Sequence, residues 1–197
     1  MWNRHESTLV ATGSVEDLSK HHLSMCQYKS AIVVLKTGGF DLLHHANVDS
    51  HEDLVAIFGL NDTPTKSGGP RFARVEYGPP DGSPLEALAD IETYRLIVDE
   101  PRRPDWFSDE MFEQVEKRLR GICAAGILKS DTAVLAGGPW IIPEGVTVGR
   151  VLEHAVVLVN SGTVTTNSGT VKTNDGTVTT NFGTVKTNYG TVTKQVS

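Results

Sequence analysis

Two segments of this 197-residue chain gather side chains that could do chemistry. The first is Pro101-Arg102-Arg103-Pro104-Asp105-Trp106-Phe107, where two guanidinium groups sit on a proline-stiffened loop with an aromatic pair just beyond. Arg102 and Arg103 could grip a phosphate or carboxylate through paired N–H donors while Trp106 stacks on a base. Arg71, Arg74 and Arg95 lie on upstream strand-like stretches and could extend the patch. In the competing structural reading, Trp106 and Phe107 fasten the next helix to the sheet, and the arginines pair with Asp99, Glu100 or Glu110. The second segment is His44-His45 with His51, Asp41 and Asp49. Adjacent histidines on a strand point to opposite faces, so one ion does not easily take both, and no metal site is expected. Cys26 and Cys123 show neither C-x-x-C spacing nor a nucleophile motif, and read as structural thiols in a reducing compartment. The chain has no G-x-S-x-G, H-E-x-x-H or P-loop sequence, and no cofactor is expected.

The elements that must position these residues follow from patterning. Ser30–Lys36 is β-branched and nearly continuous, predicting a buried strand, and Thr37-Gly38-Gly39 turns it into a hairpin with Phe40–His45. Ser50 to Asp53 has the form of a capping box and opens a short helix that Gly59 closes. Arg71–Tyr77 alternates polar and apolar residues, as a half-exposed strand does, and Tyr94–Val98 alternates likewise. Ser108 caps a helix whose Met111, Val115 and Leu119 recur every four residues. The expectation is an α+β head over 25–130, its antiparallel or mixed sheet covered on one face. Residues 1–24 read as a poorly structured extension, with Met25 as a natural start. Residues 131–159, with short apolar bursts broken by Gly, Pro and Glu, read as irregular first rungs.

From Asn160 onward the chain repeats: NSGTVTT, NSGTVKT, NDGTVTT, NFGTVKT, NYGTVTK. Thr-Val-x-Thr favours extended backbone. Gly, and Asn more than other residues, tolerates positive φ, so N-x-G supplies a tight corner. Period-2 alternation places Val and the last Thr on one face. The third strand position alternates Thr165, Lys172, Thr179, Lys186, Thr193, which predicts a two-sided coil of two heptads with the lysines stacked along one side. A triple-stranded β-helix and a disordered tail are the alternatives. Five valines (Val164, Val171, Val178, Val185, Val192) are too few to offset the entropy of ordering five heptads alone. Stacking on residues 133–159, contact with other copies, or both must make up the difference, so these valines, with Phe182 and Tyr189 as a small aromatic column, are the expected homo-oligomer interface.

Net charge is −6, and the repeats carry Lys172, Lys186 and Lys194 against Asp175, a local +2 that leaves −8 elsewhere. An acidic head disfavours duplex nucleic acid and membrane surfaces. No apolar run is long enough to span a bilayer.

The order of the hairpin, D-S-H-E-D-L at 49–54, R-F-A-R-V-E-Y-x-P-P at 71–80, and Y-R-L-I-V-D-E-x-x-x-P-D-W-F at 94–107 resembles small phage-encoded proteins of unassigned function. In those, a similar head precedes a pentapeptide-like or G-T-V repeat tail. The resemblance implies a cytoplasmic protein of an infected bacterial host that counters defence by nucleic-acid mimicry or by sequestering a small nucleotide signal. A mildly basic tail fits mimicry poorly. The leading expectation is a non-enzymatic oligomeric binding protein. A virion fibre or tip module is the alternative, and a nucleotide hydrolase is the enzymatic one.

Overall fold

The computed structural model describes residues 29–46, 48, 50–61 and 71–196. The N-terminal extension, Met25, Cys26 and Asp49 lie outside the described residues. The chain forms a small α+β head with an antiparallel sheet, followed by a β-solenoid.

Among the described residues the head sheet has four strands, β1 (Lys29–Lys36), β2 (Gly39–Leu43), β3 (Phe72–Gly78) and β4 (Arg95–Val98), in the order β2-β1-β3-β4 and antiparallel throughout. Helix α1 (His51–Ile57) starts where the Ser50 side chain accepts from the Asp53 N–H, completing half of a capping box. Helix α2 (Asp109–Gly126) starts the same way, with Ser108 accepting from the Met111 N–H, and buries Val115, Leu119 and Cys123 along one stripe.

The sheet is covered on both faces, not one. Ala31, Val33, Val75 and Tyr77 face α2, while Ile32 and Phe72 pack with Leu54 of α1 on the other side. Arg71–Tyr77 therefore reads as half-exposed only because of its charges. Arg74 and Glu76 lie on the α1 face, and Arg74 is matched there by Glu100 at 3.0 Å and by the Phe72 ring.

Nine strands make the solenoid: β5 (Thr132–Leu135), β6 (Trp140–Ile142), β7 (Thr147–Val151), β8 (Val156–Asn160), β9 (Thr163–Asn167), β10 (Thr170–Asn174), β11 (Thr177–Asn181), β12 (Thr184–Asn188) and β13 (Thr191–Gln195). Odd and even strands separate into two parallel sheets, β13-β11-β9-β7-β5 and β12-β10-β8-β6. In the repeats each strand pairs with the one two heptads away, Val164 with Val178 and Val171 with Val185. The coil closes within one chain, which sets aside both the triple-stranded and the disordered alternatives. Lys172 and Lys186 share a sheet, and the threonines of the same position occupy the other.

The corners work differently from the positive-φ expectation. Among the described residues no non-glycine has positive φ, and the repeat glycines do not either. Gly176 is required by proximity instead: a Cβ there would lie 2.1 Å from the Gly162 carbonyl oxygen of the rung below. Asparagine, rather than the last threonine, joins valine in the interior. Asn160, Asn167, Asn174 and Asn181 are buried, and their amides form two ladders with links of 2.7 Å: Asn160 to Asn174 to Asn188, and Asn167 to Asn181 to Gln195. Each buried amide Nδ2 thus donates to the carboxamide oxygen one turn away, whereas Asn160 Oδ1, at the head of its ladder, is buried without a partner among the described residues.

Head and solenoid share a core. Ile141, Leu158 and Val159 of the early rungs pack with Val115, Leu119 and Cys123 of α2, while Val148, Val157, Val164, Val171 and Val178 fill the coil itself.

Candidate functional site

The arginine loop is not assembled into a pocket. Arg102 is exposed and reaches Asp105 at 3.4 Å, and Arg103 bonds Asp109 at 2.5 Å and lies over the Phe112 ring. Arg74 belongs to the other side of the head with Glu100, and Arg95 donates to the Glu92 and Tyr94 carbonyls. Arg71 is exposed at the entry to β3. Trp106 packs against the buried core beside Phe107, as the structural reading has it. The partners of Arg102 and Arg103 are acids, but Asp105 and Asp109 rather than Asp99, Glu100 or Glu110.

The histidine segment also separates. Asp41 pairs with Lys36 at 3.1 Å, and His45 bridges to Val48. His44 lines a cavity of about 240 Å³ at the seam of head and solenoid, with Lys29, Cys123, Gly126, Pro139 and Trp140. Its Nδ1 is buried without a hydrogen-bond partner, and burial, then Lys29 and His45, hold its pKa below the ordinary 6.5. A second concavity of about 420 Å³ on the same seam is lined by Glu86, Glu144 and Asp175, the wrong sign for an anionic ligand. Neither contains Arg102, Arg103 or Trp106.

The solenoid end is the most distinctive surface. Val164, Val171 and Val178 are fully buried inside the chain's own coil, so they face the interior and not a second copy. Val185 and Val192, in the last strand of each sheet, are only partly covered. Phe182 and Tyr189 are 56% and 50% exposed. They do not form a column: seven residues is half a turn, so Phe182 precedes β12 and stands over the Ser168 corner, while Tyr189 precedes β13 over the Asp175 corner. The two rings flank the mouth from opposite corners. Among the described residues no strand pairs beyond β12 and β13, leaving two parallel strand edges open.

The other end is covered on its interior and its β6 side by the exit from α2, while β5 remains an edge strand. Leu128 packs against the coil's apolar interior and its N–H bonds the Ile141 carbonyl, while Ile127 bridges to Ile141 and Asp131 accepts from the Thr147 N–H. The repeat reveals the coil in sequence, but this plug has no sequence signature; it follows from where α2 stops.

No family model, curated protein or solved structure matches the chain. No helix among the described residues is long and apolar enough to cross a membrane.

Proposed function

We infer that this chain is a non-enzymatic binding protein that assembles into a dimer through the open end of its solenoid, carrying one head at each extremity. The observation that carries this reading is the last described rung, on which no further strand pairs among the described residues, with half-covered Val185 and Val192 between exposed Phe182 and Tyr189. Open strand edges and an apolar mouth invite pairing with another β-edge. Because Leu128 covers the head-proximal interior and Ile127 covers the β6 side, head-to-tail stacking would meet only the β5 edge, and a two-fold, end-to-end contact is the better-matched closed solution.

Capture of a small anionic nucleotide by the head is the weaker reading. An anion at Arg102 or Arg103 would first displace Asp105 or Asp109, and the larger seam concavity is acidic. A fibre or tip module needs continued growth, which a covered interior at the head-proximal end opposes.

Light scattering of the full chain tests the reading. The expected mass is twice the 21.3 kDa of one chain, falling to one chain when Phe182→Ser and Tyr189→Ser are combined. A 21.3 kDa particle at tens of micromolar would overturn it.

A further inference from the structure

The head face covered by α1 carries a second constellation that the arginine loop and the solenoid end do not use. Phe72, Arg74 and Glu76 alternate onto that face of β3, and Asp99, just past β4, continues the ladder there by donating its N–H to the Arg74 carbonyl at 2.9 Å. Helix α1 begins at His51 directly above them. His51 Nδ1 lies 2.9 Å from Asp99 Oδ2 and 3.9 Å from Glu76 Oε1, and the three ligand atoms all fall within 4.8 Å of one another.

The ring orientation gives these distances meaning. His51 Nε2 lies 3.1 Å from the Val75 carbonyl oxygen, which can only accept, so Nε2 carries the hydrogen. The neutral ring then presents the Nδ1 lone pair toward two carboxylates. The 2.9 Å approach of Nδ1 to the Asp99 carboxylate is favourable when a positive charge lies between the two atoms, either a proton on Nδ1 or a bound cation that the Glu76 carboxylate can also reach. A backbone carbonyl on the far nitrogen is the usual outer partner of a metal-bound histidine. Tetrahedral coordination with bonds near 2.0–2.2 Å places ligand atoms about 3.3 Å apart, between the two histidine–carboxylate distances observed.

We propose that His51, Glu76 and Asp99 form a binding site for a divalent cation of the zinc class. One imidazole and two carboxylates make a nitrogen–oxygen donor set whose −2 charge a dication balances. The Glu76 and His51 side chains are 8% and 10% exposed and make a rigid floor, whereas Asp99 is 56% exposed and leaves the site open to solvent for a water ligand. Arg74, beside Glu76 on the same face, is held by Glu100 through its guanidinium and its backbone N–H.

The test uses the full chain, stripped with a chelator and titrated calorimetrically with Zn²⁺, Mn²⁺ and Mg²⁺. Zn²⁺ binds at one equivalent with micromolar affinity or better and at least 100-fold more tightly than Mg²⁺. Asp99→Asn, an exposed position that leaves the core untouched, weakens Zn²⁺ at least 10-fold, and Co²⁺ substitution gives visible ligand-field bands that the variant loses. If Zn²⁺ does not bind, the three groups are a protonated ion pair and the proposal is overturned. Binding that Asp99→Asn and His51→Gln leave unchanged overturns it equally, by placing the metal on other histidines.

Discussion

Asparagine at the corner of every repeat is the residue on which the solenoid turns, and its role is internal hydrogen bonding. Replacing Asn174 by Ala removes two 2.7 Å links at once and leaves the buried amide of Asn160 and the carboxamide of Asn188 short of a partner. The expected loss is about 1–3 kcal/mol, read from the urea midpoint. Asn188→Ala, exposed and bonded only from below, loses less; equal losses would contradict the ladder's contribution. His44 makes the second residue-scale prediction. Its pKa is lowered in the folded protein, so the unfolded chain takes up its proton first as pH falls below 6.5. The contribution is complete above 6.5 and declines as pH drops toward the folded value. The melting temperature therefore falls more between pH 7 and pH 5.5 for the wild type than for His44→Gln. Residue roles were the least legible part of the sequence. Asn reads as a turn former because its side-chain direction at a corner is not fixed by strand alternation. His51, Glu76 and Asp99 come from separate elements and show no common spacing.

Elements were more legible, because periodicity reports them directly. The four-residue spacing of Met111, Val115 and Leu119 is the buried stripe of α2, and the Thr/Lys alternation is the division between the two solenoid sheets. What alternation misreports is β3, where charges matched by partners look like solvated ones. The register of the coil makes a strong element-scale prediction. Each heptad supplies Val, Asn and Gly at the same offsets, so removing residues 167–173 moves every later strand to the opposite sheet yet keeps both interior columns filled. That deletion keeps a single cooperative unfolding transition and lowers the melting temperature by only about 2–4 °C, the shift expected for a loss on the order of 1 kcal/mol in a chain of this size. Removing the four residues Asp175–Val178 instead puts Asn against Val and exposes the interior. Limited proteolysis then cuts the rungs beyond Asn174. Equal resistance of the two deletions would refute the two-heptad register.

At the scale of the molecule, two asymmetric ends define behaviour. The interior of the end nearest the head is covered by Leu128, and the far end is bordered by Phe182 and Tyr189. Adding one full pair of heptads before Asn188 restores an identical mouth and preserves pairing between copies, with each head carried outward by the rise of one rung, about 4.8 Å. Small-angle scattering of the dimer reports this as a maximum dimension longer by about 9–10 Å, two rungs' worth. An unchanged dimension would mean that the copies meet elsewhere.

The shared core has a further consequence for how such a chain can vary in length. Leu158 and Val159 answer to the head, so the early coils are tailored to one neighbour and cannot be traded for generic repeats. The strands β9 and β10 rest on the non-repeat strands β7 and β8, and from β11 onward each strand stacks on a copy of itself. Gain or loss of whole heptads is therefore structurally neutral at the distal end and forbidden near the head. Such a tail can act as an adjustable spacer whose reach is set by counting repeats while everything upstream stays fixed.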